Sequence, residues 1–395
     1  MMNKGHKLLA LMLTLFFTII FLFLGKGFFK TENTFAGSIP ANEGSTSDNM
    51  ASKILARHPG TRALALTVIR EGRIIDSQFA GVMGDGSRGG VCSQTLFRAC
   101  SLSKPVFAYL VLKMVDQGVF GLDQSLLATV GKKADLLRDY PDVAADPRLE
   151  LLTARTVLSH RSGFPNWRWQ ESDRRLRFKF DPASSFSYSG EGYRFLQAIL
   201  ESLSGRNLDE LSAEVLFTPL RMRDSFFLLD RSMQNKLSFD IETIPAFFSE
   251  QLFRERNAAG SLICTIGDYA RFLEAVIAGD GLSEKMHSEM LNPFVKMTAK
   301  ALFGPQANEP GGWVDGAEPY WCLGWICFRS FLGESYFHVG AEEGFENFAV
   351  FFPKPRAGLV VLASGPSPSG VARDAVESFF GDTGIPFAWM GYQMP

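Results

Sequence analysis

The chain has 395 residues, 46% hydrophobic and 21% charged, which is ample for a large globular core. Its formal net charge of −2 and the lack of any Lys/Arg block exclude a polyanion-binding surface, so no nucleic-acid partner is expected. The five cysteines (Cys92, Cys100, Cys264, Cys322 and Cys327) form no Cys-x-x-Cys and no zinc-like pairing with histidine, so no metal or cofactor is expected.

In chain order, Lys4 and Lys7 precede Leu8–Leu24, a run without charge, and Lys26 and Lys30 close it. Residues 1–30 read as a signal peptide or signal anchor. The anchor is favoured because the small-x-small site Thr34-Phe35-Ala36 lies far from the run, which is near the minimum length for crossing a bilayer. The bulk of the chain is then exported, periplasmic or extracellular, with the membrane met through the N-terminal segment. Residues 31–50 are rich in Ser, Asn, Gly and Thr and read as a linker to one domain over 51–395.

That domain opens on a hairpin, Ala63–Ile69 and Arg73–Ile75, turning at Glu71-Gly72. A helix is expected from Ser101 to Gln117, with Pro105 in its first turn and Gly118 after its end. Polar, helix-compatible segments fill roughly 120–290. A strand-rich block follows: Trp321–Ser330, Ser335–Val339, Glu346–Phe352 and Gly358–Ser364, then a helix over Val371–Phe380. Strands at both ends with helices between imply an α+β fold, an antiparallel sheet flanked by helices with an inserted helical lobe.

The stretch Phe97-Arg98-Ala99-Cys100-Ser101-Leu102-Ser103-Lys104-Pro105 holds the Ser-x-x-Lys of the chain. Residues three apart share a helix face, so the Ser101 hydroxyl and the Lys104 amine stand side by side. A serine becomes nucleophilic when a neighbouring base takes its proton, and a buried lysine can be that base. Cys100 is out of phase with Lys104 and reads as a small core residue.

Three further motifs follow in order. They are Ser159-His160-Arg161-Ser162-Gly163-Phe164-Pro165, then Phe186-Ser187-Tyr188-Ser189-Gly190, then His338-Val339-Gly340. With Ser-x-x-Lys they resemble the β-lactamase-related serine hydrolases: class C β-lactamases, D-alanyl-D-alanine carboxypeptidases, and esterases and amidases of the same fold. Asn257-Ala258-Ala259-Gly260-Ser261-Leu262 and Leu323-Gly324-Trp325 also look like the family, and the resemblance covers roughly residues 50–380.

The resemblance implies that Ser101 attacks a carbonyl, with Lys104 and Tyr188 sharing its proton. Which of the two is the base stays open. It implies an oxyanion hole from the backbone amides of Ser101 and Ala341, and a structural role for His160. His338, where many relatives carry lysine, is expected to hydrogen-bond the substrate or the tyrosine. Gly340 is expected to let the strand approach the substrate closely. Trp167 and Trp169 are candidates to line the substrate cleft or to pack in the core; Glu342 and Glu343 read as solvated loop charges. The family's Tyr-x-Asn is here Tyr188-Ser189-Gly190, a departure that counts against β-lactam hydrolysis; the expected small-molecule or peptide substrates are amides, esters, β-lactams or peptidoglycan-type peptides. The competing reading is a non-catalytic, membrane-anchored binding protein that retains the fold. An α/β-hydrolase lacks its Gly-x-Ser-x-Gly here, and a zinc hydrolase its His-Glu-x-x-His.

Overall fold

The computed structural model describes residues 49–131, 133–302, 305–311 and 318–391. The expected anchor and nearly all of the linker lie outside the described residues. Among those residues, no helix is long and apolar enough to cross a membrane.

The sheet brings both ends of the domain together. Strands β1 (Ala63–Arg70) and β2 (Arg73–Gly81) form the N-terminal hairpin. Three two-residue strands follow, β3 (Phe97–Arg98), β4 (Ser225–Phe226) and β5 (Ile263–Cys264). The C-terminal half supplies β6 (Val295–Lys296), β7 (Tyr320–Trp321), β8 (Ile326–Ser330), β9 (Gly333–Glu342), β10 (Phe345–Phe352) and β11 (Ala357–Ser364). The main sheet is antiparallel with order β2-β1-β11-β10-β9-β8-β7-β6; β3, β5 and β4 form a second, small sheet. The fold is α+β, as the distribution of strands implies.

Alternation along the strands explains the layers. In β1, Ala63, Ala65 and Ile69 face one apolar cluster, while Leu64, Leu66 and Val68 face another. Val360 and Leu362 of β11 join the first, Leu359 and Val361 the second. The helices α1 (Met50–Arg57) and α6 (Val371–Phe380) cover the second face. The helices α2 (Ser103–Asp116), α3 (Gly190–Ser204), α4 (Ile266–Ala278) and α5 (Glu284–Leu291) build the first cluster. A sheet covered on both faces accounts for β10 and β11, in which every residue is buried.

Four local readings differ from expectation. Helix α1 starts at Met50, inside the expected linker, because the Asn49 side chain caps it by accepting from the Ser52 amide at 3.1 Å. Strand β2 runs on to Gly81; Asp76, Ser77 and Gln78 are tolerated because β2 is a sheet edge with one side in water. The expected strand Trp321–Ser330 is two strands, folded back by a turn at 322–325 that pairs Trp321 with Ile326. Ser101 lies in a single 3-10 turn, Cys100–Leu102, ahead of α2 rather than within it.

Candidate active site

The small sheet delivers the chain to Ser101. Phe97 and Arg98 pair with Cys264 and Ile263, and the Ala99 amide donates to the Leu262 carbonyl at 2.8 Å. Cys100 then adopts φ +51, a left-handed backbone that costs a non-glycine residue on the order of 1–2 kcal/mol. Ser103 holds the turn: its hydroxyl donates to the Cys100 carbonyl at 2.6 Å and accepts from the Leu262 amide at 3.0 Å. This sharp turn leaves Ser101 partly exposed while Cys100, Leu102, Ser103 and Lys104 are buried.

Lys104 is completely buried, with Nζ 3.2 Å from Ser101 Oγ and 2.7 Å from the carbonyl oxygen of Ala259. The Ala259 carbonyl is itself fixed, since the Ala258 amide donates to Gln197 and the Ala259 amide to Asn257. Nζ also lies 4.6 Å from the centre of the Tyr188 ring and 5.7 Å from that of Tyr193. Burial lowers the Lys104 pKa to about 7; the Glu342 carboxylate works against this. Near neutral pH a substantial fraction of the amine is therefore unprotonated and able to accept a proton.

Tyr188 completes the trio. Burial pushes its pKa up, and a hydrogen bond with Ser101 opposes that shift only in part. Its phenol is thus neutral and able to donate a hydrogen bond, rather than a phenolate. His160 positions it. The imidazole packs against the Tyr188 ring at 4.3 Å between centroids, tilted by 32°, and His160 Nδ1 accepts from the Ser189 amide at 3.0 Å. That hydrogen bond puts the ring proton on Nε2, and burial keeps the ring neutral.

The motif at the end of β9 closes the other side. Pairing with β8 reaches only Phe337, so 338–342 run past the last β8 partner towards the Cys100–Leu102 turn. A Cβ on Gly340 would sit 2.2 Å from the Ala99 carbonyl oxygen and 3.1 Å from the Leu102 amide nitrogen. The missing side chain thus makes room for the turn bearing Ser101. Ala341 follows it directly, beside that turn. Asn347 on β10 ties these parts together: its Nδ2 donates to the carbonyls of Gly340 at 2.8 Å and Arg98 at 3.0 Å.

His338 is fully buried behind the site, and its Nδ1 is bonded to its neighbour's carbonyl, that of Val339, at 2.7 Å. Burial lowers its pKa to about 3, so it is a neutral ring packed at Trp321, and its Nε2 has no hydrogen-bond partner among the described residues. Glu342 is no solvated loop charge. It ends β9 and pairs at 2.7 Å with the buried Arg98, and its charge reaches Lys104. Nothing in the sequence links two charges so far apart along the chain. Asn347 and Ser103, equally unmarked, are legible only through their contacts.

A cleft opens at residues 257–261, the segment whose Ala259 carbonyl accepts from Lys104. Trp167, Trp169, Arg98, Arg194, Asn257 and Glu342 are among its walls, and Gly260 and Ser261 carry it to the segment that binds Lys104. Trp167 and Trp169 stack at 6.4 Å between centroids, 16° from parallel. Among the described residues no group of His, Cys, Asp and Glu is placed to hold a metal ion.

The comparisons agree with this architecture. The Beta-lactamase family profile matches residues 50–378. Penicillin-binding protein 4 of Amycolatopsis lactamdurans is 28% identical over 227 residues, covering 51% of this chain and 57% of that protein. D-aminopeptidase of Brucella ovis is 26% identical over 189 residues, 46% of this chain and 36% of that protein. The chain thus spans about half or less of these relatives. The octameric penicillin-binding protein homologue from Pyrococcus abyssi superposes with a TM-score of 0.64 at 18% identity, covering 85% of this chain and 76% of that one, a likeness of fold. With most of its length matched and the family's motifs folded together, the chain belongs to the beta-lactamase family.

Proposed function

We propose that this protein is a serine hydrolase acting on a small ester, amide or peptide through an acyl-Ser101 intermediate. The observation that carries the reading is the fully buried Lys104, its pKa about 7, at 3.2 Å from the Ser101 hydroxyl. Ser101 Oγ bonds to the carbonyl carbon as its proton passes to Lys104 Nζ. The oxyanion that forms is held by the amides of Ser101 and Ala341. Collapse breaks the bond to the alcohol or amine, which leaves with the proton returned by Lys104 through Tyr188. Water then attacks the acyl carbon and gives a proton to the same pair; the bond from the acyl carbon to Oγ breaks, that proton returns to Ser101 Oγ, and the acid leaves. The charge-free run Leu8–Leu24 supports placing this chemistry outside the cytoplasm, on a membrane-anchored chain.

Mass spectrometry after a fluorophosphonate probe and, separately, a labelled penicillin tests this reading. A phosphonate adduct on Ser101 without a penicillin adduct is expected for an esterase or amidase lacking the asparagine amide at 190. Adducts from both would add β-lactams to the substrates. No adduct from either on folded protein would leave the binding-protein reading.

A further inference from the structure

Gly190 stands where the family motif carries asparagine, and the structure shows what occupies the space. A Cβ built on Gly190 would lie 2.4 to 2.7 Å from three atoms of the Trp167 indole. Real Cβ atoms do not approach so closely, so a side chain at 190 and the indole in this position exclude each other. The tryptophan has taken the volume of the lost amide.

The indole is also held there. Asn166, one residue before it, accepts the Gly190 amide on Oδ1 at 3.1 Å and the Glu191 amide on its carbonyl at 2.9 Å. Arg168, one residue after it, donates its amide to Glu191 Oε1 at 2.9 Å and its guanidinium to Glu191 Oε2 at 2.8 and 3.0 Å. The Glu191 carboxylate is nearly completely buried, so this pair is strongly directional. Trp167 is thus clamped on both sides to the start of α3, two residues from Tyr188, and stacked on Trp169.

Charge in the cleft points the same way. Arg98 is paired with Glu342 and Arg194 with Glu255, so neither cation wall is left to draw a free carboxylate. What the cleft offers over Gly190, two residues along the chain from Tyr188, is a rigid aromatic face with its charges neutralised.

We propose that Trp167, seated over Gly190, is the specificity-determining residue of this site: it replaces amide recognition with an aromatic platform for an uncharged aryl or long alkyl group on the substrate's acyl side. The proposal rests on the acyl-Ser101 reading. Stacking on a fixed indole favours a flat apolar group, whereas an acylamino group would meet the ring without the hydrogen-bond partner it needs.

The test measures Ser101 labelling rates with two p-nitrophenyl phosphonates, one methyl and one benzyl at phosphorus, normalised to their reactions with hydroxide. Ser101 Oγ bonds to phosphorus, p-nitrophenolate leaves, and the serine proton goes to Lys104. The benzyl reagent is expected to label the wild-type chain at least fivefold faster. In Trp167→Ala the benzyl-to-methyl ratio should fall about tenfold, and Trp167→Phe should keep most of it. A ratio unchanged in Trp167→Ala overturns the proposal even if both rates drop together, since the role would then be structural. No labelling of folded wild-type protein by either reagent overturns the acyl-Ser101 reading and takes this one with it.

Discussion

Lys104 and Glu342 are coupled through the interior: the carboxylate ends β9, pairs with Arg98, and raises the pKa that burial of Lys104 lowers. Their balance sets the pH range over which the amine can act. Below a pKa of about 7 the amine is protonated and cannot take the serine proton; above it the amine is free. The rate kcat/KM for an activated ester should therefore rise about tenfold per pH unit up to 7 and then level off. A pH–rate profile from 5 to 9 checks this, and a flat profile would contradict it.

Replacing Glu342 shifts that limb in a known direction. Without the negative charge the cationic form of Lys104 is less favoured, so in Glu342→Gln the acid limb should move to lower pH. The same change removes the carboxylate charge with which the buried Arg98 pairs. Breaking such a pair costs up to about 3–5 kcal/mol, and the partial exposure of Glu342 puts the expected loss at the lower end. Thermal denaturation alongside the pH profile separates the two effects.

Arginine cannot give up its proton near neutral pH, so Lys104→Arg keeps a cation and removes the base. Acylation should slow by about 100- to 10,000-fold, the range of general-base catalysis. Single-turnover kinetics with p-nitrophenyl acetate measures it. A loss under tenfold would assign the base elsewhere.

Tyr188→Phe removes one hydroxyl and leaves the ring packed against His160. Turnover should fall by about 100-fold or more while stability changes by about 1 kcal/mol, the worth of one hydrogen bond. A comparable drop in melting temperature and activity would instead mark the tyrosine as structural.

Gly340→Ala puts a carbon 2.2 Å from the Ala99 carbonyl oxygen, where backbone meets backbone and no side chain can swing away. The turn bearing Ser101 must shift. Stability should drop by about 1–3 kcal/mol, and activity should fall further than stability accounts for. Denaturant unfolding and ester turnover of the same preparation compare the two.

Much of this was legible in the sequence because the signals are local. The final helix, Val371–Phe380, and the apolar strands of the last sheet block follow from periodicity. Ser101 and Lys104 are neighbours by helical spacing, and the 3-10 turn preserves that nearness. What escaped is non-local. The two-residue strands β3, β4 and β5 carry too few residues for a pattern, yet they aim the Ser101 turn. The Arg98–Glu342 pair, the Asn347 tie and the indole over Gly190 join segments far apart in the chain, and no spacing rule reaches them. Two packing contacts were equally out of reach of the sequence: His338 lies against Trp321, and Gly340 makes room for the turn at Ala99 and Leu102.

The most direct test of the acyl-Ser101 account is rapid-quench peptide mapping after mixing with p-nitrophenyl acetate. An acetyl group on Ser101, formed in a burst matching the nitrophenolate released and absent in Lys104→Arg, is the predicted result. Turnover with no acetyl on Ser101, or with the acetyl on Cys100 instead, would contradict it.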